Sequence, residues 1–452
     1  MSEASRGWRD SLGVYAHPRV AAMLFLGFSS GLPFPLVLTT LSARLRLAGI
    51  DRTTIGYFSL VGLAYSLKYF WAPLVDRVRL PVLGRLGRRR SWMLLAQCGI
   101  AAGLVAMAIA DPASDAAHFA WLAVATAFAS ATQDIAVDAW RIEAADPDSQ
   151  GAMAAAYQTG YQLALIAAGA GALTAAAGLG WSAAYFVMAA CVLVGIATTF
   201  AIHEPAARID RSTLAQEARV VAFLERSAHW PAVLRNAVAW LIGAVVSPFV
   251  DFFVRNGWKA GVPILLLIAT YRLNYTTMGV AANTYYLDLG FTLPEIALVS
   301  KVYGVLMTLA GALLAGVLIK RFGIARTLLV GWILLSIANL AYAYIANISP
   351  GIAWLATVVS IDNVANGIAG TAFIAYMSTL TNTAYTATQY ALFGTLWSLP
   401  AKAIASQWGS IVDAWGYGPF FVYTAAIGLP ALVLVIWAIR REPAPAVKPG
   451  AA

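Results

Sequence analysis

Apolar runs of about membrane-spanning length recur along the chain, separated by short polar turns. A helix that crosses a bilayer needs about 20 mainly apolar residues. That length predicts twelve spans, over 20–40, 55–75, 91–110, 119–140, 152–177, 181–202, 261–285, 293–319, 327–346, 352–379, 389–412 and 418–439. The first run continues past the length of a signal peptide's apolar core, with no small-residue cleavage site after it, so it is read as a retained span. Six runs precede a polar segment, Glu204 to Lys259, and six follow it. The segment opens with Arg208, Asp210, Arg211, Glu217 and Arg219. Its later part, Ala237 to Val250, is apolar but short, and Pro248 and Asp251 close it. This predicts amphipathic or re-entrant helices, and two short spans there would bring the total to fourteen. The expected organisation is a six-helix bundle over 1–202, a cytoplasmic linker over 203–259, and a second six-helix bundle with a short tail over 260–452.

Composition sharpens the class. Hydrophobic residues make up 60% of the chain and charged residues 11%, against about 25% charged in soluble domains. This is an all-α polytopic membrane protein. Most of its lysines and arginines fall in loops on one side of the predicted membrane, together with both termini, which places the termini in the cytoplasm. Arg44, Arg46 and Arg52 are the exception, in what reads as the first outer loop. Basic residues confined to such loops give no nucleic-acid surface. Cys98 and Cys191 lie within apolar runs, and all four histidines fall outside the spans or at their ends. No metal site and no cofactor is expected.

The halves repeat each other. APLVDRVRLPVLGRLGRRRSW joins spans two and three, and AGVLIKRFGIARTLLVGW joins spans eight and nine. Paired halves around a midplane site are how many secondary carriers are built. Asp76, Arg77, Arg88 and Arg89 in the first of these loops form the candidate gate. Gly31-Leu32-Pro33 and Leu399-Pro400 mark places where a helix can break beside a cavity, or where small residues pack helices together.

The chemistry centres on SATQDIAVDAWRIE, Ser130 to Glu143. Asp134 and Asp138 are four apart and share one helix face. Acids inside a membrane helix face the bundle interior or a wet cavity, and two close carboxylates resist ionising together, which favours a shared proton. The alternative is that Asp138 only pairs with Arg141. Lys68, Arg272, Lys301, Asp362 and Lys402 also fall within spans. Lys68 and Arg272 are candidates to attract an anionic substrate, with Asp362 joining the two aspartates as a proton carrier; static ion pairs are the competing reading. Lys301 and Asp76 can instead reach the membrane interface. Tyr157 and Tyr161, with Gln158 and Gln162 beside them, form stripes of ring and amide suited to stacking on and hydrogen-bonding a sugar or peptide. Asn274 belongs to a similar group in span seven. Helix contacts and interfacial belts use the same residue types.

LGFSSGLPFPL, TIGYFSLVGLAYSLKYFWAPLVDR, GRRRSW, SATQDIAVDAW, PFVDFFVRNG, LVSKVYG, GIAGTAFIAYMSTLTN and TATQYALF together resemble the AmpG family of muropeptide permeases in the major facilitator superfamily. The resemblance implies two pseudo-symmetric six-helix bundles in a bacterial inner membrane. It also implies proton-driven import of GlcNAc-anhydro-MurNAc, with or without peptide, for cell-wall recycling and β-lactamase induction. It places the family's essential helix-four acid at Asp138 and its companion at Asp134, with Lys68, Lys301 and Arg272 where the family has basic residues. Asn274 stands where the family has an acid, and Asp362 where a glutamate is expected. The implied partners are a sugar-peptide, protons and lipid, with the carrier acting as a monomer. The alternatives are a siderophore or acyl-CoA importer of the same fold, and a polytopic membrane transferase.

Overall fold

The computed structural model describes residues 17–50, 54, 58–146, 149–205, 220–348 and 351–441, all of them in helices and their connections. The charged stretch from Arg208 to Arg219 lies outside the described residues. The elements are α1 (Pro18–Leu47), α2 (Leu63–Leu67), α3 (Ala72–Arg77), α4 (Arg88–Ile109), α5 (Ala116–Ala144), α6 (Gln150–Leu179) and α7 (Trp181–Ala201). After the linker come α8 (Ala232–Leu241), α9 (Ser247–Asn256), α10 (Trp258–Thr270), α11 (Leu273–Asp288), α12 (Leu298–Phe322) and α13 (Ile324–Ile345). The last are α14 (Ile352–Leu380), α15 (Thr386–Ala405), α16 (Trp408–Trp415) and α17 (Tyr417–Arg441).

Among the described residues, nine helices are long and apolar enough to cross a membrane. A tenth is reached if Ser247–Asn256 and Trp258–Gly279, bent by 113°, are taken together. The three expected spans outside the nine are the second, the seventh and the eleventh. Each carries a cation. The second span changes from α2 into a 3₁₀ turn over Lys68–Phe70 and then into α3, and the seventh breaks between α10 and α11 at Arg272. Broken backbone at membrane depth is tolerated where protein or water satisfies the freed groups. Here the carbonyl of Ser66 accepts from Thr395 Oγ1 at 2.9 Å. Leu399-Pro400 behaves otherwise, since α15 runs through it.

The chain forms two compact units, Met1–Gly257 with Met377–Thr395, and Trp258–Tyr376 with Leu396–Ala452. In the first, α1 crosses α6 closely: a Cβ on Gly27 would collide with the Tyr157 carbonyl, and one on Gly160 with the Leu24 carbonyl. Lipid gives apolar helices little reason to associate, so close approach through small residues supplies the packing. The apolar interior of this unit gathers Leu36, Leu41, Ile100, Leu104, Phe119 and Tyr185. In the second, Gly311 and Gly367 bring α12 against α14 in the same way, and Tyr285, Tyr342, Phe420 and Phe421 fill the core.

The two repeated loops share a device. Gly87 (φ 104°) and Gly323 (φ 86°) immediately precede α4 and α13 in the left-handed region that favours glycine. At Gly87 a Cβ would also strike the Glu204 carboxylate, which accepts from the backbone N–H of Arg89 (2.8 Å) and Arg90 (3.1 Å). An acid there satisfies orphan donors and the positive end of the helix dipole.

Arg44 departs from its expected place in an outer loop. It lies in α1 with 5% exposure, donating to the carbonyls of Met107 (2.7 Å) and Ala110 (2.9 Å). Its guanidinium lies 4.9 Å and 4.8 Å from the Phe119 and Tyr185 ring centroids. It closes the carboxyl end of α4, where a cation is favoured.

Candidate functional site

The helix α5 positions both central carboxylates. Asp138 Oδ2 lies 3.8 Å from Lys68 Nζ, and Oδ1 lies 3.4 Å from Arg141 Nη2. Arg141 is fully buried and donates to Ser378 Oγ at 2.7 Å. Its guanidinium lies 5.9 Å from the Tyr157 ring and 5.2 Å from that of Tyr390. Asp138 therefore joins the break of the second span, α5 and, through Arg141, α14. Asp134, one turn earlier, is also buried, but its Oδ1 has no hydrogen-bond partner among the described residues. Nor do the nearby Ser130 and Tyr65 hydroxyls. Tyr157 and Tyr161 run along α6 with ring centroids 6.1 Å apart, and Gln158 and Gln162 beside them are half-buried. A wall of rings and amides next to a buried carboxylate with one unpartnered oxygen can take a polar, ring-bearing ligand and a proton.

A second polar group lies in the other unit. Arg272 Nη2 donates to Asn366 Oδ1 at 3.0 Å, and the guanidinium lies 4.5 Å from the Tyr275 ring. Arg272 Nη1 and Asp362 Oδ1 are buried without hydrogen-bond partners among the described residues. Asn274 points elsewhere. It is fully buried, its Oδ1 accepts from the Tyr275 N–H at 2.8 Å, and its Nδ2 lies by Gly428. Lys402 is exposed on α15. Lys301 falls in the π-helical stretch Ala297–Tyr303, and its side chain lies outside the described residues.

Three of the four loop residues read as a gate, Asp76, Arg88 and Arg89, fall together at the start of α15. Asp76 Oδ1 accepts from the Ala387 N–H (3.0 Å) and from Arg89 Nη2 (2.8 Å); Oδ2 accepts from the Thr388 N–H and Oγ1 (both 2.7 Å). A carboxylate facing the first N–H groups of a helix is a favoured arrangement. Arg89, with no exposed surface, also donates to Glu143 and to the Val75 carbonyl. Arg88 donates to the Asp76 carbonyl at 2.8 Å and lies 3.6 Å from Glu143. Glu143 in turn accepts from Thr386 Oγ1 at 2.8 Å. Arg77 packs its guanidinium on Gly243 instead.

Sequence reasoning passed over Glu143, Ser378, Thr386 and Thr388, as well as a second grip on the same turn. In that grip Asp251 of α9 accepts from Asn382 Nδ2 (3.1 Å), Gln389 Nε2 (3.1 Å) and Arg255 Nε (2.9 Å). The Asp251/Arg255 spacing of four was the available signal.

A family model described as Major Facilitator Superfamily matches residues 20–405. The anhydromuropeptide permease of Escherichia coli strain K12 is 35% identical, over 94% of this chain and 80% of that protein. A Rickettsia felis protein named as transporter AmpG 4 is 32% identical, over 95% of this chain and 98% of its own. The chain belongs to the AmpG family of the major facilitator superfamily. AmpG-family membership makes it a multi-pass inner-membrane carrier and removes the membrane-transferase reading, since these relatives are named as permeases and transporters. Solved structures agree on the fold. The proton:xylose symporter XylE superposes with a TM-score of 0.64 at 12% identity, covering 96% of each chain. The human organic anion transporter MFSD10 superposes with a TM-score of 0.61 at 13% identity, covering 95% of this chain and all of that one.

Proposed function

We propose that this AmpG-family carrier imports anhydromuropeptides, GlcNAc-anhydro-MurNAc with or without peptide, across the inner membrane together with protons. The 35% identical E. coli relative, an anhydromuropeptide permease, supports the substrate class. The observation that carries the coupling is Asp138, buried between Lys68 and Arg141, with Asp134 one turn away bearing an unpartnered oxygen.

Asp134 accepts the incoming proton, because its buried Oδ1 has no hydrogen-bond donor. Transfer to Asp138 neutralises the anion that holds Lys68 and Arg141. Arg141 then no longer has a charged partner fixing it toward Ser378, and the neighbouring cluster at Glu143, Asp76 and the start of α15 is free to separate. The site opens at that end, which the basic loops assign to the cytoplasm. Cargo and proton leave, Asp138 recharges, and the cluster closes. Tyr157, Tyr161, Gln158 and Gln162 take the sugar rings, and Lys68 the substrate's negative charge. Recycled fragments delivered this way supply wall synthesis and carry the signal for β-lactamase induction.

The test is uptake of radiolabelled GlcNAc-anhydro-MurNAc into proteoliposomes with and without an inward proton gradient. Asp138→Asn keeps the shape and removes the titrating group. It is expected to abolish gradient stimulation while ligand still binds. Gradient-driven uptake at the wild-type rate would overturn the proposal.

A further inference from the structure

Ser130, Asp134 and Asp138 are four apart on α5 and share one face, each step rising about 6 Å. The basic loops assign the Glu143 end of α5 to the cytoplasm. Ser130 then lies one turn outward of Asp134, on the side from which an imported proton arrives. Tyr65 of α2 brings its hydroxyl beside Ser130 and into the field of Asp134. Its ring meets Phe34 edge-on, with centroids 5.3 Å apart. Ser130 has no exposed surface, and Asp134 is 8% exposed. Yet Ser130 Oγ, the Tyr65 hydroxyl and Asp134 Oδ1 are all buried without a hydrogen-bond partner among the described residues. Each such atom costs about 1–3 kcal/mol, and three side by side call for a shared ligand. A buried water takes roughly two to four polar partners. Two hydrogen bonds end to end span about 5.5 Å, close to one turn of α5. The charge of Lys68 also reaches Asp134 and opposes a metal cation in that place.

We propose that Tyr65 and Ser130 hold one water against Asp134, and that the proton reaches the carboxylate from outside through this relay. The Tyr65 oxygen takes up a proton and releases its own to the water. The water passes one of its protons to Asp134 Oδ1. Tyr65 and the water end as they began, and Asp134 gains one proton and loses its charge. A hydroxyl both donates and accepts, whereas an ionised carboxylate only accepts, so the trio has one direction of transfer while Asp134 is charged. Ser130 keeps the water in line between the tyrosine and the acid.

This inference rests on the proton-coupled carrier reading above, and paired assays separate the two. Proteoliposomes are tested for gradient-driven uptake of radiolabelled GlcNAc-anhydro-MurNAc, and for exchange of labelled against unlabelled ligand with no gradient. Exchange carries ligand out and back without net proton movement. Tyr65→Phe and Ser130→Ala each delete one hydroxyl and keep the rest of the side chain. Each is expected to slow gradient-driven uptake about ten-fold, less than the loss of a whole acid–base group because the other hydroxyl remains, and to leave exchange unchanged. Uptake at the wild-type rate in both variants, or exchange slowed as much as uptake, would overturn the relay. Failure of both variants to insert would give the hydroxyls a structural role and overturn it too. Wild-type uptake that is absent or ignores the gradient would overturn the coupled-carrier reading itself, and the relay with it.

Discussion

Replacing Asp76 by Asn isolates the cluster at the start of α15. The side chain keeps its size but loses its charge and one acceptor oxygen. An amide NH₂ would then face the N–H of either Ala387 or Thr388, which now donate at 3.0 Å and 2.7 Å. Hydrogen bonds to a charged group are worth about 1.5–3 kcal/mol each, and a buried donor left unmade costs a similar amount. The contact to Arg89 persists whether or not α15 is engaged, so it cancels. The closed arrangement is then weakened by about 3 kcal/mol, and at 1.4 kcal/mol per decade its population relative to the open form drops about 100-fold. The readout is a single cysteine at Ala391, 2% exposed and one turn beyond Ala387, in a background lacking Cys98 and Cys191. Alkylation by a membrane-impermeant maleimide on inside-out vesicles should quicken by at least ten-fold in Asp76→Asn. An unchanged rate, with the variant correctly inserted, would show that these bonds do not decide which arrangement the protein occupies.

Two further outcomes follow from packing. Arg44→Leu strips two buried carbonyls of their donor and should lower stability by about 3 kcal/mol, seen as a fall of several degrees in detergent Tm; an unchanged Tm would refute the capping role. Gly160→Ala drives a methyl into the Leu24 carbonyl, whereas Gly169→Ala meets nothing within 4 Å. The first should lose folded yield and the second keep it, as measured by fluorescence-detected size exclusion.

The helices were legible because the bilayer sets their length. The expected run 181–202 became Trp181–Ala201 and 352–379 became Ile352–Leu380. The pairing of Asp138 with Arg141 was open to sight because it is local, three residues along one helix. The reach of Arg141 to Ser378, 237 residues away, was not, since a serine in an apolar run carries no mark of its partner. Glu143 was hidden for the same reason, its threonine partner lying 243 residues off. Arg44 was misplaced because a cation near a span's end reads as loop unless one knows that two carbonyls and two aromatic faces await it. Lys68 and Arg272 were noticed as cations, but the helix breaks under them were not, because neither break is marked by a proline at the cation itself.

Glu143 and Asp76 each serve arginines on one side and only neutral hydroxyl or N–H groups of the α15 end on the other. When that end withdraws, each acid stays neutralised by its arginine, and the groups exposed are ones that water satisfies readily. The joint can be undone without stranding a charge, so its opening and reclosing can be repeated at every turnover, which a fastening made of ion pairs across the same gap would resist.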